Sequence, residues 1–249
     1  MLSYKKVISL NISTGSRQDF INEIILLAKS KSSYVCFTNV HMTVEAYDDV
    51  DFAKCVNNAD IVSPDGMPLT KCIKLLYNTK QDRIAATDII PDILKNAEQN
   101  HLTVYFYGGT PEMQKHTKNF IEKKYPNLVC TGYDSPPFRV LNEEEKSETI
   151  NRINKSGAKL LFVILGCPKQ EKWMAYHKDK INACMLGIGG ALPILIGIQK
   201  RAPIWMQKMS LEWLYRLIQE PRRLFKRYFY TNFKFIYLII KIKIFTKKI

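Results

Sequence analysis

Short apolar runs that stop abruptly at glycine, proline or aspartate, each followed by a stretch patterned as a helix, recur along most of this chain. Tyr34 to Phe37 runs into Thr38-Asn39 and a helical stretch from about Val40 to Asn57, and Asp60 to Ser63 runs into Pro64-Asp65-Gly66 with a helix behind it. Thr103 to Tyr107 meets Gly108-Gly109. Pro111 then suits the first turn of a helix to about Tyr125, because proline lacks an amide that would have no partner there. Lys159 to Leu165 meets Gly166, with Pro168 opening the next helix, and Ala183 to Ile188 meets Gly189-Gly190. Strands alternating with helices in this way predict an α/β fold, a mainly parallel sheet covered on both faces. Ligands of such sheets gather at the carboxyl ends of the strands, which puts Thr38, Asn39, Asp65, Gly108, Gly109, Gln170 and Gly189 on one candidate rim.

Beyond Gly197 the alternation ceases. Arg201 to Trp205 is followed by a helix pattern around Leu211 to Gln219, a break at Pro221 and a basic aromatic tail. The boundary is set near Ile196, giving a body over 1–196 and an appendage over 197–249. Of a net charge of +14, the appendage carries most: Lys200 to Ile249 holds 13 Lys or Arg against two acids, Glu212 and Glu220. The cations are interleaved with Trp205, Trp213, Phe225, Tyr228, Phe229, Tyr230 and Phe233, a mixture suited to an anionic, oily membrane face and poorly suited to nucleic acid. The most apolar stretch, Phe235 to Ile240, is far shorter than the ~20 residues of a spanning helix, so the tail is expected to lie on a bilayer without crossing it. The amino-terminal residues contain no apolar run of secretory length. Six scattered cysteines form no CxxC pair and read as reduced thiols, and the four histidines lack metal-ligand spacing, so no metal site is expected.

Most single motifs have an ordinary explanation. Asp65, in a turn before Gly66, is of a kind that usually caps, but at the end of a strand it is also placed to act as a general base. Gly108-Gly109 lacks the GxGxxG and GKS/GKT signatures and serves equally as a structural turn or as a place where phosphate approaches a helix start. Asp49 and Asp51 match a DxD pattern but fall within a helical stretch, which aims them at different faces and makes them solvated surface. In the stretch Leu165 to Met174, Glu171 reads as a first-turn carboxylate, Trp173 as packing, and Gln170 as an amide able to hydrogen-bond a sugar or a uracil edge. Arg83, Arg201, Arg216, Arg222 and Arg223 would ordinarily be surface charges, although the guanidinium fork also fits phosphate.

Taken together, TNVHM, SPDGMPL, YGGTPE, YPNL with GYDSPPF, LGCPKQEKWM, GIGGALPILIG, RAPIW and LEWLYRLIQEPRR resemble the WecG/TagA/CpsF glycosyltransferase family, from about Val35 to Arg227. The resemblance implies a Rossmann-like body with a helical appendage that contacts the membrane and helps complete the active site. It implies inverting, metal-independent transfer of N-acetylmannosamine, or a related sugar, from a UDP-sugar donor to N-acetylglucosamine on a polyprenyl diphosphate acceptor, at the inner face of a bacterial cell membrane. By the same resemblance Asp65 is the catalytic base, Thr38, Asn39, Arg83 and Gln170 are substrate-pocket residues, and Arg216, Arg223 and, less directly, Arg201 steady the diphosphate. No cofactor is implied.

Two positions depart from the family pattern: Pro193 stands where many members carry aspartate, and Ala86 where a glycine is common. Both bear on the donor sugar more than on the reaction class. Transfer of another sugar, such as glucose, is the alternative within the class. A non-catalytic protein gripping a membrane or nucleic acid is the alternative outside it. Whether the body forms a homo-oligomer is left open by the sequence.

Overall fold

A computed structural model describes residues 2–30 and 32–246; residues 1, 31 and 247–249, the last three of the predicted appendage, lie outside the described residues. The chain begins with an antiparallel hairpin, β1 (Ser3–Val7) and β2 (Leu10–Thr14), and then α1 (Arg17–Ser30). There follow β3 (Ser33–Thr38), α2 (Val40–Asp48), α3 (Val50–Asn57), β4 (Ile61–Pro64), α4 (Met67–Tyr77), α5 (Ala86–Gln99), β5 (Val104–Gly108), α6 (Pro111–Lys124), β6 (Cys130–Asp134), α7 (Glu143–Lys155), β7 (Leu160–Ile164), α8 (Lys169–His177) and β8 (Cys184–Gly187). A 3₁₀ turn (Gly189–Ala191) leads into α9 (Leu192–Leu195), α10 (Ile204–Lys208), α11 (Glu212–Gln219) and α12 (Pro221–Thr246).

Strands β3 to β8 form one parallel sheet in the order β4-β3-β8-β7-β5-β6. The predicted α/β class is therefore observed. Every residue of β3, β5 and β7 is buried, because helices cover both faces and leave no side of these strands to water. Alternate residues feed opposite layers. Leu160 and Phe162 pack with α1 and α5, through Ile24, Ile90 and Leu94. Leu161 and Val163 pack with the layer that includes Phe52, Leu69 and Met174. The hairpin closes the sheet's open edge at β4, where the Val62 N–H donates to Ser13 Oγ at 3.0 Å, so a strand edge that could pair with another chain is covered.

Local chemistry explains the element boundaries. Thr110 Oγ1 accepts from the Met113 N–H at the start of α6, and Asn142 with Glu145 forms a reciprocal capping box on α7. The helix expected over Val40 to Asn57 is instead two helices. Asp49 leaves the helical conformation and its side chain accepts from the Phe52 N–H, so it ends α2 and starts α3. Asp49 also pairs with Lys172 at 2.8 Å and is half-exposed, and Asp51 pairs with Lys54 and is exposed, so both carboxylates of the DxD pattern sit at the surface. Helix α12 lies against α2, with Phe235 and Ile239 entering the core and Asp48 receiving both Tyr230 Oη at 2.8 Å and the Lys234 ammonium.

Candidate active site

The parallel sheet places the carboxyl ends of β4, β3, β8, β7 and β5 side by side, so Asp65, Thr38-Asn39, Gly189, Gln170 and Gly108-Gly109 follow one another along a single rim. At about 4.8 Å per strand the glycine pair stands roughly 19 Å from Asp65, four strand spacings away.

The backbone at Asp65 is held by its neighbours. Its N–H donates to Thr38 O at 2.9 Å, and the chain after β4 folds back so that the Ile84 N–H donates to Pro64 O at 3.0 Å and Ser63 Oγ donates to Ile84 O at 2.7 Å. This return brings the first turn of α5 to the carboxylate, which accepts from the Ala86 N–H. Alanine at this position is compatible with the contact because the amide, not the side chain, makes it. Burial pushes the Asp65 carboxyl up to about 6; the Arg216 and Arg83 guanidinium groups and the Ala86 amide oppose the rise, and Glu212 adds to it. A carboxylate tuned to that value is ionised at neutral pH yet more basic than an ordinary aspartate, which is what general-base work needs.

Arg216 enters from α11, its Nη1 4.0 Å from where a Cβ on Gly190 would stand, so appendage and body share the rim. Arg83 is not free. It donates to Asp88 Oδ2 at 2.7 Å and pairs with Glu212 of α11. Arg201 pairs with Asp88 and lies 3.7 Å from Glu212 Oε1. Arg223 is exposed and pairs with Glu220 at 2.5 Å. Of the three arginines expected at the diphosphate, Arg216 is therefore the one beside Asp65, while Arg201 and Arg223 hold carboxylates.

The other expected pocket residues divide between surface and interior. Thr38 is fully buried and its hydroxyl donates to Met42 Sδ at 3.3 Å, so its link to the rim is the carbonyl that fixes Asp65. Asn39 is exposed beside Gly66, and its Oδ1 accepts from the Met42 N–H as the cap of α2. Gln170 is only 4% exposed, its Nε2 donating to Glu171 Oε1 at 2.9 Å and its Oε1 without a hydrogen-bond partner. A Cβ on Gly187 would come within 2.5 Å of that Nε2, so the glycine is what admits the amide to the rim. Glu171 is the first-turn carboxylate expected of α8. It is fully buried, and burial raises its pKa. Trp173 packs as expected, stacked on Tyr107 at 4.8 Å and on His177 at 4.0 Å.

Gly108 has φ +113°, and a Cβ there would stand 2.3 Å from Ile164 O, while the Gly109 N–H donates to that same oxygen at 2.9 Å. The pair thus locks β5 to the end of β7, which accounts for both glycines without a ligand.

Sequence reasoning passed over Asp88, Glu212, His41 and Arg227. The last two meet near Cys167, where burial and then the Arg227 cation lower the His41 pKa to about 4, and Arg227 Nε is buried with no hydrogen-bond partner. Glu212 had one readable signal, its spacing of four from Arg216 on a predicted helix. A separate hollow of about 220 Å³ beside Asp134 and Arg152 lies at the far end of the sheet from Asp65 and is not where these groups converge. Among the described residues no group of three or more His, Cys, Asp or Glu is arranged to hold a metal ion, and no helix is long and apolar enough to cross a membrane.

Comparison with known proteins bears on this rim. A family model described as "Glycosyl transferase WecG/TagA/CpsF family" matches residues 5–249. The chain is 29% identical over 186 residues to an N-acetylglucosaminyldiphosphoundecaprenol N-acetyl-beta-D-mannosaminyltransferase of Bacillus subtilis (strain 168), covering 74% of this chain and 71% of that protein. A protein of the same name from Bacillus spizizenii (strain ATCC 23059 / NRRL B-14472 / W23) is 28% identical over 202 residues, 81% of this chain and 77% of that one. Another, from Staphylococcus aureus (strain MW2), is 28% identical over 174 residues, 70% and 66% of the two chains.

Proposed function

The chain belongs to the WecG/TagA/CpsF glycosyltransferase family, and from that membership we propose that it transfers N-acetylmannosamine from a UDP-sugar to an N-acetylglucosamine-diphospho-undecaprenol-type acceptor, inverting the anomeric centre without a metal, in the synthesis of a bacterial surface polymer such as teichoic acid. The names of its relatives support the sugar and the lipid-linked acceptor. The observation that carries the chemistry is Asp65, a carboxylate pushed up to about 6 on a rim that it shares with the cationic Arg216.

In this reading the acceptor hydroxyl attacks the anomeric carbon from the face opposite the diphosphate. As the new C–O bond forms, the hydroxyl proton passes to the Asp65 carboxylate and the bond from the anomeric carbon to the UDP oxygen breaks. The electron pair leaves with UDP, and a preorganised cation beside it lowers the barrier more than a mobile one would. Arg216 fits that task by position and charge. The amide nitrogen of exposed Asn39 offers a donor to sugar or base, while Gln170 Oε1 is buried behind Gly189 without a partner.

The appendage supports work at a membrane face on the cytoplasmic side, where nucleotide sugars are made available. Phe225, Phe229, Phe233, Ile236, Tyr237, Ile240 and Ile244 are exposed along α12, with Arg222, Arg223, Lys226, Lys241 and Lys243 exposed among them. Apolar side chains flanked by cations favour an anionic bilayer surface.

The deciding experiment is UDP release by the full-length protein with a lipid-linked N-acetylglucosamine diphosphate acceptor, across a panel of UDP-sugars in EDTA. Turnover with UDP-N-acetylmannosamine that collapses in Asp65→Asn is expected. Turnover with a different donor would redirect the sugar, in keeping with Pro193 standing where many members carry aspartate. Equal turnover in wild type and Asp65→Asn would remove the base from this residue.

A further inference from the structure

Helix α11 carries the cation of the site, yet none of its residues is buried, so apolar packing alone does not fix where it lies. Charge does. Arg83, Glu212, Arg201 and Asp88 alternate in sign around a closed ring: Arg83 pairs with Glu212 and with Asp88, Arg201 pairs with Asp88, and Glu212 Oε1 lies 3.7 Å from Arg201 Nε. Arg83 and Asp88 belong to the body, and Arg201 and Glu212 to the segment beyond the sheet. Glu212 makes the ring's link between α11 and the body. The Arg83 side chain that it meets is only 14% exposed, so the pair is partly shielded from water and salt.

One helical turn beyond Glu212, on the same face, stands Arg216. We propose that Glu212 is a positioning residue for sugar transfer: by bridging Arg83 and Arg201 it seats α11 so that Arg216 stands over Asp65. The inference rests on the transferase reading above and adds to it a residue that acts through another. Without the Glu212 charge, three arginines would face Asp88 and Asp65 alone, and their mutual repulsion would push α11 off the rim. A neutral glutamine keeps the shape and removes the charge.

The test is a cycle on the full-length protein, comparing wild type, Glu212→Gln, Arg216→Ala and the double variant, with Glu212→Asp as the conservative control. Glu212→Gln is expected to lower kcat and kcat/KM together by about 10²-fold, the scale of a catalytic group misplaced by about 1 Å. Glu212→Asp should recover most of that loss, and Glu212→Gln should cost nothing further once Arg216 is gone. Additive losses, or an unchanged rate in Glu212→Gln, would overturn the proposal. UDP affinity by calorimetry follows the same cycle without turnover: weaker binding in Glu212→Gln that disappears in the Arg216→Ala background supports the seating role, and equal weakening in both backgrounds refutes it. Asp65→Asn, which should cut turnover by ~10²–10⁴-fold and keep UDP binding, reports separately on the transferase reading.

Discussion

Ionising Asp65 works against folding, because the rim replaces water around its carboxylate with protein. Its pKa is raised from 3.8 to about 6, so the folded chain holds the proton more tightly than the unfolded one, and stability falls as pH rises through that interval. Asp65→Asn removes the penalty. At pH 7.5 the variant is expected to melt about 2–4 °C higher, the shift that ~1 kcal/mol gives a domain of this size, while losing ~10²–10⁴ in rate. For the wild type, kcat/KM should fall as pH drops through about 6, because the protonated carboxyl cannot accept the acceptor's proton. A profile flat to pH 5, or a melting temperature lowered by the substitution, would count against this account. Gly108 gives the opposite kind of prediction. Alanine there meets Ile164 O at a φ of +113°, and the strain should cost about 1–3 kcal/mol or more in urea denaturation, with UDP affinity in the folded fraction unchanged. The placement of Asp65, Asn39 and Gln170 on one rim was legible in the sequence because each directly follows the end of a strand or opens the next helix. The pairs Arg83–Glu212 and Arg201–Asp88 were not, since their partners lie 129 and 113 residues apart, and no local pattern reports such a pair.

Helix α12 is apolar on two faces, and among the described residues one of them packs against the body. Leu224, Phe235, Leu238 and Ile239 are buried, with spacings that keep them on the side facing the body. Phe235→Ala should cost ~3 kcal/mol by loss of buried surface and cavity formation. Lys234→Ala should cost less than about 1 kcal/mol, because its pair with Asp48 is partly solvated. Denaturant titration of both variants checks the ranking, and a larger loss at Lys234 would mean that charge holds the helix. The main strands and α6 could be read from apolar runs and their glycine or proline stops. The division between α2 and α3 could not, because helical periodicity continues across Asp49 while the cap that interrupts it is a single side-chain hydrogen bond. The opening hairpin was also passed over, its strands being polar on the exposed side and short enough to escape a search for buried runs.

At the scale of the whole molecule, charge and apolar surface are concentrated on the segment that follows the sheet. The full-length protein is expected to float with vesicles containing anionic lipid at low ionic strength. It should be released in large part as salt shortens the screening length from about 10 Å at 0.1 M to about 3 Å at 1 M. Equal flotation with neutral vesicles at both salt levels would leave the cations without a role in docking. The separation of Asp65 on the sheet from Arg216 on α11 has a further consequence, for the reaction that the enzyme must avoid. Water is always present and is a competent nucleophile for an activated sugar. On the proposed transferase reading, a chain whose α11 is unseated keeps Asp65 but lacks Arg216 beside the leaving UDP, so it should leave the nucleotide sugar intact. By that reading the two-part rim would also guard against hydrolysis, and UDP released in the absence of any acceptor should fall in Glu212→Gln.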